Sequence, residues 1–529
     1  MKLFFAFFRK NNFLIILVFL CLIYLALAFK NPFKENSLIP NLEPSPDVFY
    51  YSVPAWNLVR GNGFKMMAFG KEINSIVPPV YSVYLVPFFL IFNDVRCYYF
   101  ANLLLCFLSI FLFLKLIEVF FGKEKWFLKF ALGLILITNF YFYNLPTLLM
   151  AENILIPFTL LAVILMFSKF NLKNIILSLI TMGILVFIKI SSFPVLLVFG
   201  GMFLFRIIKT KFWLKISKRL GWPLGILFFL IISIAFVKIA LPGIKTLSLV
   251  SNNFSVKFIS KTLPIYLKEF VGIDGSYLWF NNQQIERWLG IFCLIGAFLG
   301  LFLKKYRKNV LILISIILLV TVFHSMMSYP EGRYISTVIP LFILFAGIIL
   351  DKLKYSFWII LFLAVYFLMR GTVNNFYERK ATSLKRQILN NQLEKNETPW
   401  SYRAVQNFNE YFKDKKNVYL GTVTNPFYLM YFKSENYSFL PMSLNQEFSG
   451  VDKNFIEKYF EKDKTPAELY KNLLMEGKEL YVTNYYLTYY HGNLNDDFYN
   501  LEKLFRFTQV KDGCLGECKI YKLELKVIK

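Results

Sequence analysis

The chain has 529 residues, of which 57% are hydrophobic, 19% aromatic and 17% charged. Its apolar residues stand in long runs rather than in alternation, which excludes an ordinary soluble domain and points to an α-helical polytopic membrane protein. The formal net charge of +26 does not imply nucleic acid as a partner. The basic residues sit in short loops between apolar runs, a positive-inside pattern rather than a groove that tracks phosphates.

The N-terminus carries Lys2, Arg9 and Lys10 with no acid, and an apolar run follows from about Asn12 to Phe29. No convincing small-residue cleavage site accompanies it, so it reads as a retained first helix starting in the cytoplasm. Residues 31–95 then form the first exported loop, with interfacial helices. Within it, Pro46 to Pro79 is too polar to cross a membrane and too aromatic for a plain linker. The run Pro79–Phe92 is short, opens on two prolines and contains Pro87. Read as a span, it places the acid-free clusters Lys209–Arg219 and Lys304–Lys308 outside. Read as interfacial, it places both inside, as the charge bias prefers. About eleven transmembrane helices result, the others at 97–121, 126–144, 153–169, 174–190, 193–208, 222–241, 288–303, 310–327, 334–350 and 355–371. The spans 174–190 and 193–208 form a tight hairpin, with Pro194 just inside the second helix.

This topology gives a transmembrane domain, 1–371, and a soluble exported domain, 372–529. In the latter, charge is dense and mixed. Short β-rich runs (Val418–Thr422, Tyr437–Leu440, Glu479–Thr483, Lys519–Leu525) alternate with helical stretches at Asn454–Phe460 and Thr465–Met475, the pattern of a small α/β domain. Asn375–Asn396 reads as a charged helical stalk. Cys21, Cys97, Cys106 and Cys293 lie in or beside apolar spans and read as packing residues. Cys514 and Cys518 have no neighbouring His, which argues against zinc and leaves a local disulfide open. There is no internal repeat, Walker motif, His-rich metal motif or Ser/His/Asp arrangement.

The expected topology gathers Asp47, Glu152, Lys189, Glu331 and Arg333 at one membrane face. Ionisable groups at such depth are costly unless they pair or line a wet cavity. Acids and cations together suit a site where a sugar leaves a phosphate. The acceptor hydroxyl needs a carboxylate base, the oxocarbenium-like centre a nearby negative charge, and the departing phosphate fixed cations. Asp47 is the expected base and Glu152 the second catalytic acid or organiser. Lys189 and Arg333 are the phosphate-side cations. Tyr50, Tyr51, Arg60, Lys71, Glu331 and Tyr334 are further substrate-binding candidates. Each also has a plainer reading. Pro46-Asp47 is ordinary turn chemistry, Glu152 suits a helix N-terminus, Lys189 can snorkel and Arg333 can pair with Glu331 alone. The tyrosines, Tyr141 and Tyr143 included, can form an interfacial belt. His324 reads as a buried hydrogen-bonded residue.

Together these residues resemble the GT-C superfamily of polytopic glycosyltransferases, particularly the bacterial branch of protein O-mannosyltransferases and aminoarabinose transferases. The pattern is an early acid, tyrosine, alanine, a Gly-x-Gly-aromatic turn, a further glycine and a double proline. Here it stands as Asp47, Tyr50/Tyr51, Ala55, Gly61-Asn62-Gly63-Phe64, Gly70 and Pro78-Pro79. A second acid matches Glu152 in Met150-Ala151-Glu152-Asn153. A late acid-x-Arg-Tyr matches Glu331-Gly332-Arg333-Tyr334, with Pro340 in the following span. The resemblance covers roughly residues 10–371. It implies a polyprenyl-phosphate sugar donor, a lipid, glycan or protein acceptor, and inverting transfer at the exported face of the plasma (inner) membrane. Two departures stand out. Val77 precedes the double proline where the aminoarabinose transferase type has lysine, and Val48 follows Asp47 where many relatives carry a second acid. No metal ligands are assigned, and a divalent metal stays open. The expected activity is glycosyl transfer. A transporter or flippase of lipid-linked saccharides, or a non-catalytic polysaccharide-assembly subunit, is the alternative.

Overall fold

The computed structural model describes residues 2–29, 31–33, 47–68, 71–75, 77–209, 254–271, 287–328, 330–352, 407–422, 437–442, 465–484, 493–512 and 519–526. Their contacts divide the chain into two units, one within Met1–Lys30, Val77–Tyr84 and Cys97–Ala381, the other within Asn31–Ile76, Leu85–Arg96 and Thr382–Lys529. The expected spans 222–241 and 355–371, the stalk, the stretch Asn454–Phe460 and the Cys514/Cys518 pair lie outside the described residues.

The first unit is helical. Its helices are α1 (Lys2–Ala28), α4 (Tyr98–Phe121), α5 (Trp126–Thr138), α6 (Phe140–Asn144), α7 (Glu152–Phe167), α8 (Leu172–Ile188), α9 (Phe193–Lys209), α10 (Ile259–Phe270), α11 (Arg287–Phe302), α12 (Arg307–Ser325) and α13 (Ile339–Lys352). Helix α2 (Asp47–Val59) belongs to the second unit, and α3 (Val80–Phe92) is divided between the two after Tyr84. Among the described residues, Val95–Phe121, Arg307–Ser325 and Gly332–Lys352 are long and apolar enough to cross a membrane, and several shorter apolar helices accompany them. Large side chains such as Leu14, Ile180, Phe298 and Phe302 are exposed on these helices, as suits surfaces solvated by hydrocarbon rather than water. The 13 residues of α3 reach only about 20 Å, short of a hydrocarbon core of about 30 Å.

Two expected spans are interrupted. The run 126–144 breaks at Asn139, whose extended backbone ends α5 and whose side chain accepts from Phe142 N to start α6. The run 334–350 opens as a 3₁₀ turn, Gly332–Val338, before α13. At Asn139 apolar content alone hides the break, because a polar cap is one residue among many.

Helix packing uses small residues where backbones meet. On α11, Gly296 and Gly300 form a Gly-xxx-Gly face: a β-carbon at Gly296 would overlap the Phe345 carbonyl, and one at Gly300 would press on Val310 and Ile348. Membrane helices gain their packing from such close approach. Gly296→Val is therefore expected to cost about 3 kcal/mol or more, since a backbone carbonyl cannot move aside as a side chain can. Thermal unfolding in detergent would show it, and an unchanged midpoint would mean that α11 and α13 do not meet this closely.

In the second unit, α2 ends in a Schellman motif, with Gly61 N donating to Leu58 O and Asn62 N to Asn57 O. Gly61 and Gly63 have φ of +76° and +77°, a region that only glycine enters cheaply. This is the physical content of the Gly-x-Gly-aromatic turn. A hairpin follows, β1 (Lys65–Ala68) against β2 (Lys71–Asn74), and the Asn57 side chain donates to Lys65 O at 2.8 Å to tie it to the helix.

The same unit holds a five-stranded sheet of β3 (Val418–Thr422), β4 (Tyr437–Pro441), β5 (Glu479–Thr483), β6 (Phe505–Lys511) and β7 (Ile520–Leu525), in the order β4-β3-β5-β7-β6. β4, β3 and β5 run parallel, and β7 and β6 join antiparallel. Helix α14 (Pro466–Met475) is capped by Thr465, and α15 (Asn493–Leu504) precedes β6. Tyr470, Leu480, Val482, Phe498 and Leu523 form the core. The expected α/β character holds; β6 and α15 were not foreseen, because β6 alternates weakly and α15 is rich in Asn and Asp.

Candidate active site

Four of the sequence-nominated ionisable residues meet inside the helical unit. Glu152 is the first residue of α7 and is buried. It follows an irregular turn that side-chain amides hold in shape. Asn102, wholly buried on α4, donates to Leu148 O at 2.8 Å and to Pro146 O at 3.3 Å. Asn153 donates to Leu148 O at 2.7 Å, and Tyr81 donates to the Asn102 carbonyl at 2.7 Å. Buried amides that satisfy loop carbonyls fix the loop, since losing them would strand those groups.

Lys189 reaches the same place from the α8–α9 hairpin. Helix α8 stops at Ile188, and Lys189 is extended, with φ −167° and ψ 147°. Ser192 accepts the turn by donating its hydroxyl to Leu185 O at 2.7 Å and its amide to Lys189 O at 3.0 Å. The lysine leaves the helix axis, and its Nζ donates to Glu152 Oε1 at 2.6 Å. The other oxygen, Oε2, is buried without a hydrogen-bond partner among the described residues.

Glu331 and Arg333 flank the start of the 3₁₀ turn. Glu331 is extended, and its amide donates to the Tyr266 hydroxyl of α10 at 3.1 Å. The two side chains form an ion pair. Arg333 is buried, and its Nη1 lies 2.9 Å from Met150 Sδ, on the turn that leads into Glu152. Ser336 donates to Arg333 O at 2.6 Å and anchors its backbone. Tyr334 sits between the cations: Lys189 Nζ is 5.2 Å and the Arg333 guanidinium 5.1 Å from its ring centre. Each is within cation–π range. His324, buried on α12, stacks on the same ring at 4.9 Å and 9°.

The acids and cations therefore interlock. Each cation has a carboxylate beside it, and the pairs are joined through Tyr334 and Met150. The Tyr141 hydroxyl also lies in the field of Glu152, Arg333 and Glu331. Sequence reading nominated Tyr141 only for an interfacial belt, read His324 as a buried hydrogen-bonded residue rather than part of the site, named Met150 only within the Glu152 motif, and did not single out Tyr266. Neither His324 nor Tyr141 belongs to a motif with fixed spacing, so no sequence signal marked them.

The remaining nominees lie in the other unit. Asp47 is the first residue of α2, a position where an acid favours the helix N-terminus. Tyr50 is half-buried and Tyr51 buried on that helix. Arg60 is exposed, with its guanidinium 4.7 Å from the ring centre of Trp56. Lys71 opens β2 and pairs with Ala68. Among the described residues, no three or more His, Cys, Asp or Glu side chains converge as a metal-binding group.

No family model matches the sequence, and no curated protein matches it in sequence. Solved structures do match in fold. ArnT from Cupriavidus metallidurans bound to undecaprenyl phosphate superposes with a TM-score of 0.59 at 13% identity, over 97% of this chain and 98% of that one. The apo state of that protein gives 0.58 at 14%. The chain shares the fold of these ArnT structures. The archaeal oligosaccharyltransferase AglB from Archaeoglobus fulgidus, in complex with an inhibitory peptide and a dolichol-phosphate, gives a TM-score of 0.50 at 10% identity, over 94% of this chain and 73% of that one. The likeness in fold thus spans nearly the whole chain, beyond the residues that carry the motifs.

Proposed function

We propose that the protein is a GT-C-type membrane glycosyltransferase. In this reading it moves a monosaccharide from a polyprenyl-phosphate donor to a hydroxyl-bearing lipid, glycan or protein at the exported face. The observation that carries the proposal is the buried Glu152–Lys189 pair interlocked with Glu331–Arg333. A fold shared with proteins solved with undecaprenyl phosphate and dolichol-phosphate supports the donor class.

Asp47 takes the proton from the acceptor hydroxyl as its oxygen bonds to the anomeric carbon. The bond from that carbon to the phosphate oxygen breaks on the opposite side, so configuration inverts, and the electron pair leaves with the lipid phosphate. Lys189 and Arg333 meet the charge of that phosphate while keeping their carboxylates, so the phosphate joins existing ion pairs rather than meeting bare cations. Glu152 holds Lys189 in position. Its second oxygen offers an acceptor to a hydrogen-bond donor on the substrate.

Asp47→Asn tests the proposal in membranes supplied with labelled polyprenyl-phosphate sugar. Loss of a general base is worth about 10²- to 10⁴-fold, and transfer near the wild-type rate would remove the assignment of Asp47.

A further inference from the structure

At the far end of α7 from Glu152, about 24 Å along a helix of 16 residues, a second polar place lies among the helices. It is a shallow, open recess with an enclosed volume of only about 10 Å³, lined by Lys169, Asn174, Ser178 and Arg206 together with apolar residues including Phe199 and Phe203. Its polar wall is built. Arg206 Nη1 donates to Ser168 O at 2.8 Å and Leu165 O at 3.2 Å, the carbonyls that end α7. Asn171 caps α8 by accepting from Asn174 N at 2.9 Å, and Asn174 Nδ2 donates to Lys169 O at 2.7 Å. The backbone that carries Lys169 is thereby held at the rim.

The charges carried by α7, α8, α9 and the loop between α7 and α8, past Glu152, have one sign. Lys173 and Lys209 are exposed at the same helix ends, and residues 153–268 contain no Asp or Glu. The surfaces of α8 and α9 next to the recess are exposed and apolar, with Leu172, Ile176, Leu204 and Phe205 outward. A soluble anion has no use for such a surface. A lipid does: its phosphate meets Lys169 and Arg206, and its chains lie along α8 and α9.

We propose that this recess binds the headgroup of an anionic phospholipid, separately from the site of the proposed transfer. Basic recesses between membrane helices suit such headgroups. The full-length protein is reconstituted in vesicles of equal parts phosphatidylcholine and phosphatidylglycerol and re-extracted in detergent, and retained phospholipid is counted by native mass spectrometry. Wild type is expected to keep one phosphatidylglycerol in preference to phosphatidylcholine. Lys169→Gln should lower that retention about fivefold, as one basic residue is worth near a lipid surface, with an unchanged unfolding midpoint. Lys308→Gln, an exposed lysine elsewhere in the same unit, should not. Arg206→Gln should lower retention further, and Lys169→Gln carries the test if loss of the α7 cap unfolds that variant. Equal losses from Lys169→Gln and Lys308→Gln would reduce the effect to general surface charge and overturn the proposal. So would equal retention of the two lipids, or release of the bound lipid by inorganic phosphate.

Discussion

Lys189→Met is expected to destabilise the protein by about 3–5 kcal/mol, the cost of leaving one member of a buried ion pair alone. The expectation rests on Glu152. Its side chain is 2% exposed, and its bond to Lys189 is 2.6 Å long. With lysine gone, a carboxylate remains in a setting where its second oxygen already lacks a partner among the described residues. Arg333 sits in the same cluster but is committed to Glu331 and Met150, so it does not replace the lost donor. The double variant Lys189→Met/Glu152→Gln removes both charges and is expected to recover most of the lost stability, because neutralising a buried pair costs less than breaking it. Transfer should stay low in both. Unfolding midpoints in detergent for the two single variants and the double one give the coupling. If the double variant were as unstable as the sum of the singles, the two residues would not be a pair in the folded protein, and the site as described would fall.

The parts of this cluster differ in how far the sequence betrayed them. The apolar runs were legible as long hydrophobic stretches, although among the described residues only three of the helices they form are long and apolar enough to cross a membrane. The acid of Met150-Ala151-Glu152-Asn153 and the Glu331-x-Arg333-Tyr334 stretch stood out as charges at the ends of such runs. What the residues do to one another was not legible. Lys189 could equally have snorkelled; it meets Glu152 because α8 stops one residue before it and the Ser192 hydroxyl closes the turn. The turn before Glu152 owes its shape to Asn102, which lies on another helix, 50 residues earlier in the chain, and looks like an isolated polar residue in an apolar run. His324 meets Tyr334 only because α12 and the 3₁₀ turn cross. In each case the decisive contact is long-range, and local pattern carries no record of it. The Gly61 and Gly63 turn is the opposite case: its backbone demand is local, so the motif was visible, while the reason for it waited on the two positive φ values.

Arg333→Lys is expected to lower transfer on the order of 10²-fold, the scale of losing one preorganised charge contact at a reacting centre, while leaving stability close to wild type. Charge is conserved in this variant, so a purely electrostatic role would survive it. The geometry around Arg333 asks for more than charge. The guanidinium pairs with Glu331, reaches Met150 Sδ at 2.9 Å through Nη1, and stands 5.1 Å from the Tyr334 ring centre. A planar, forked cation can keep these contacts and still present an N–H to a phosphate oxygen, whereas an ammonium is a single point that must choose among them. Turnover at saturating donor, the Michaelis constant for the polyprenyl-phosphate sugar and the unfolding midpoint separate the possibilities. A fall in turnover with an unchanged midpoint places Arg333 at the departing phosphate. A fall in the midpoint with turnover per folded molecule preserved would make Arg333 a support for the 3₁₀ turn, and Lys189 would then be the remaining cation for the phosphate.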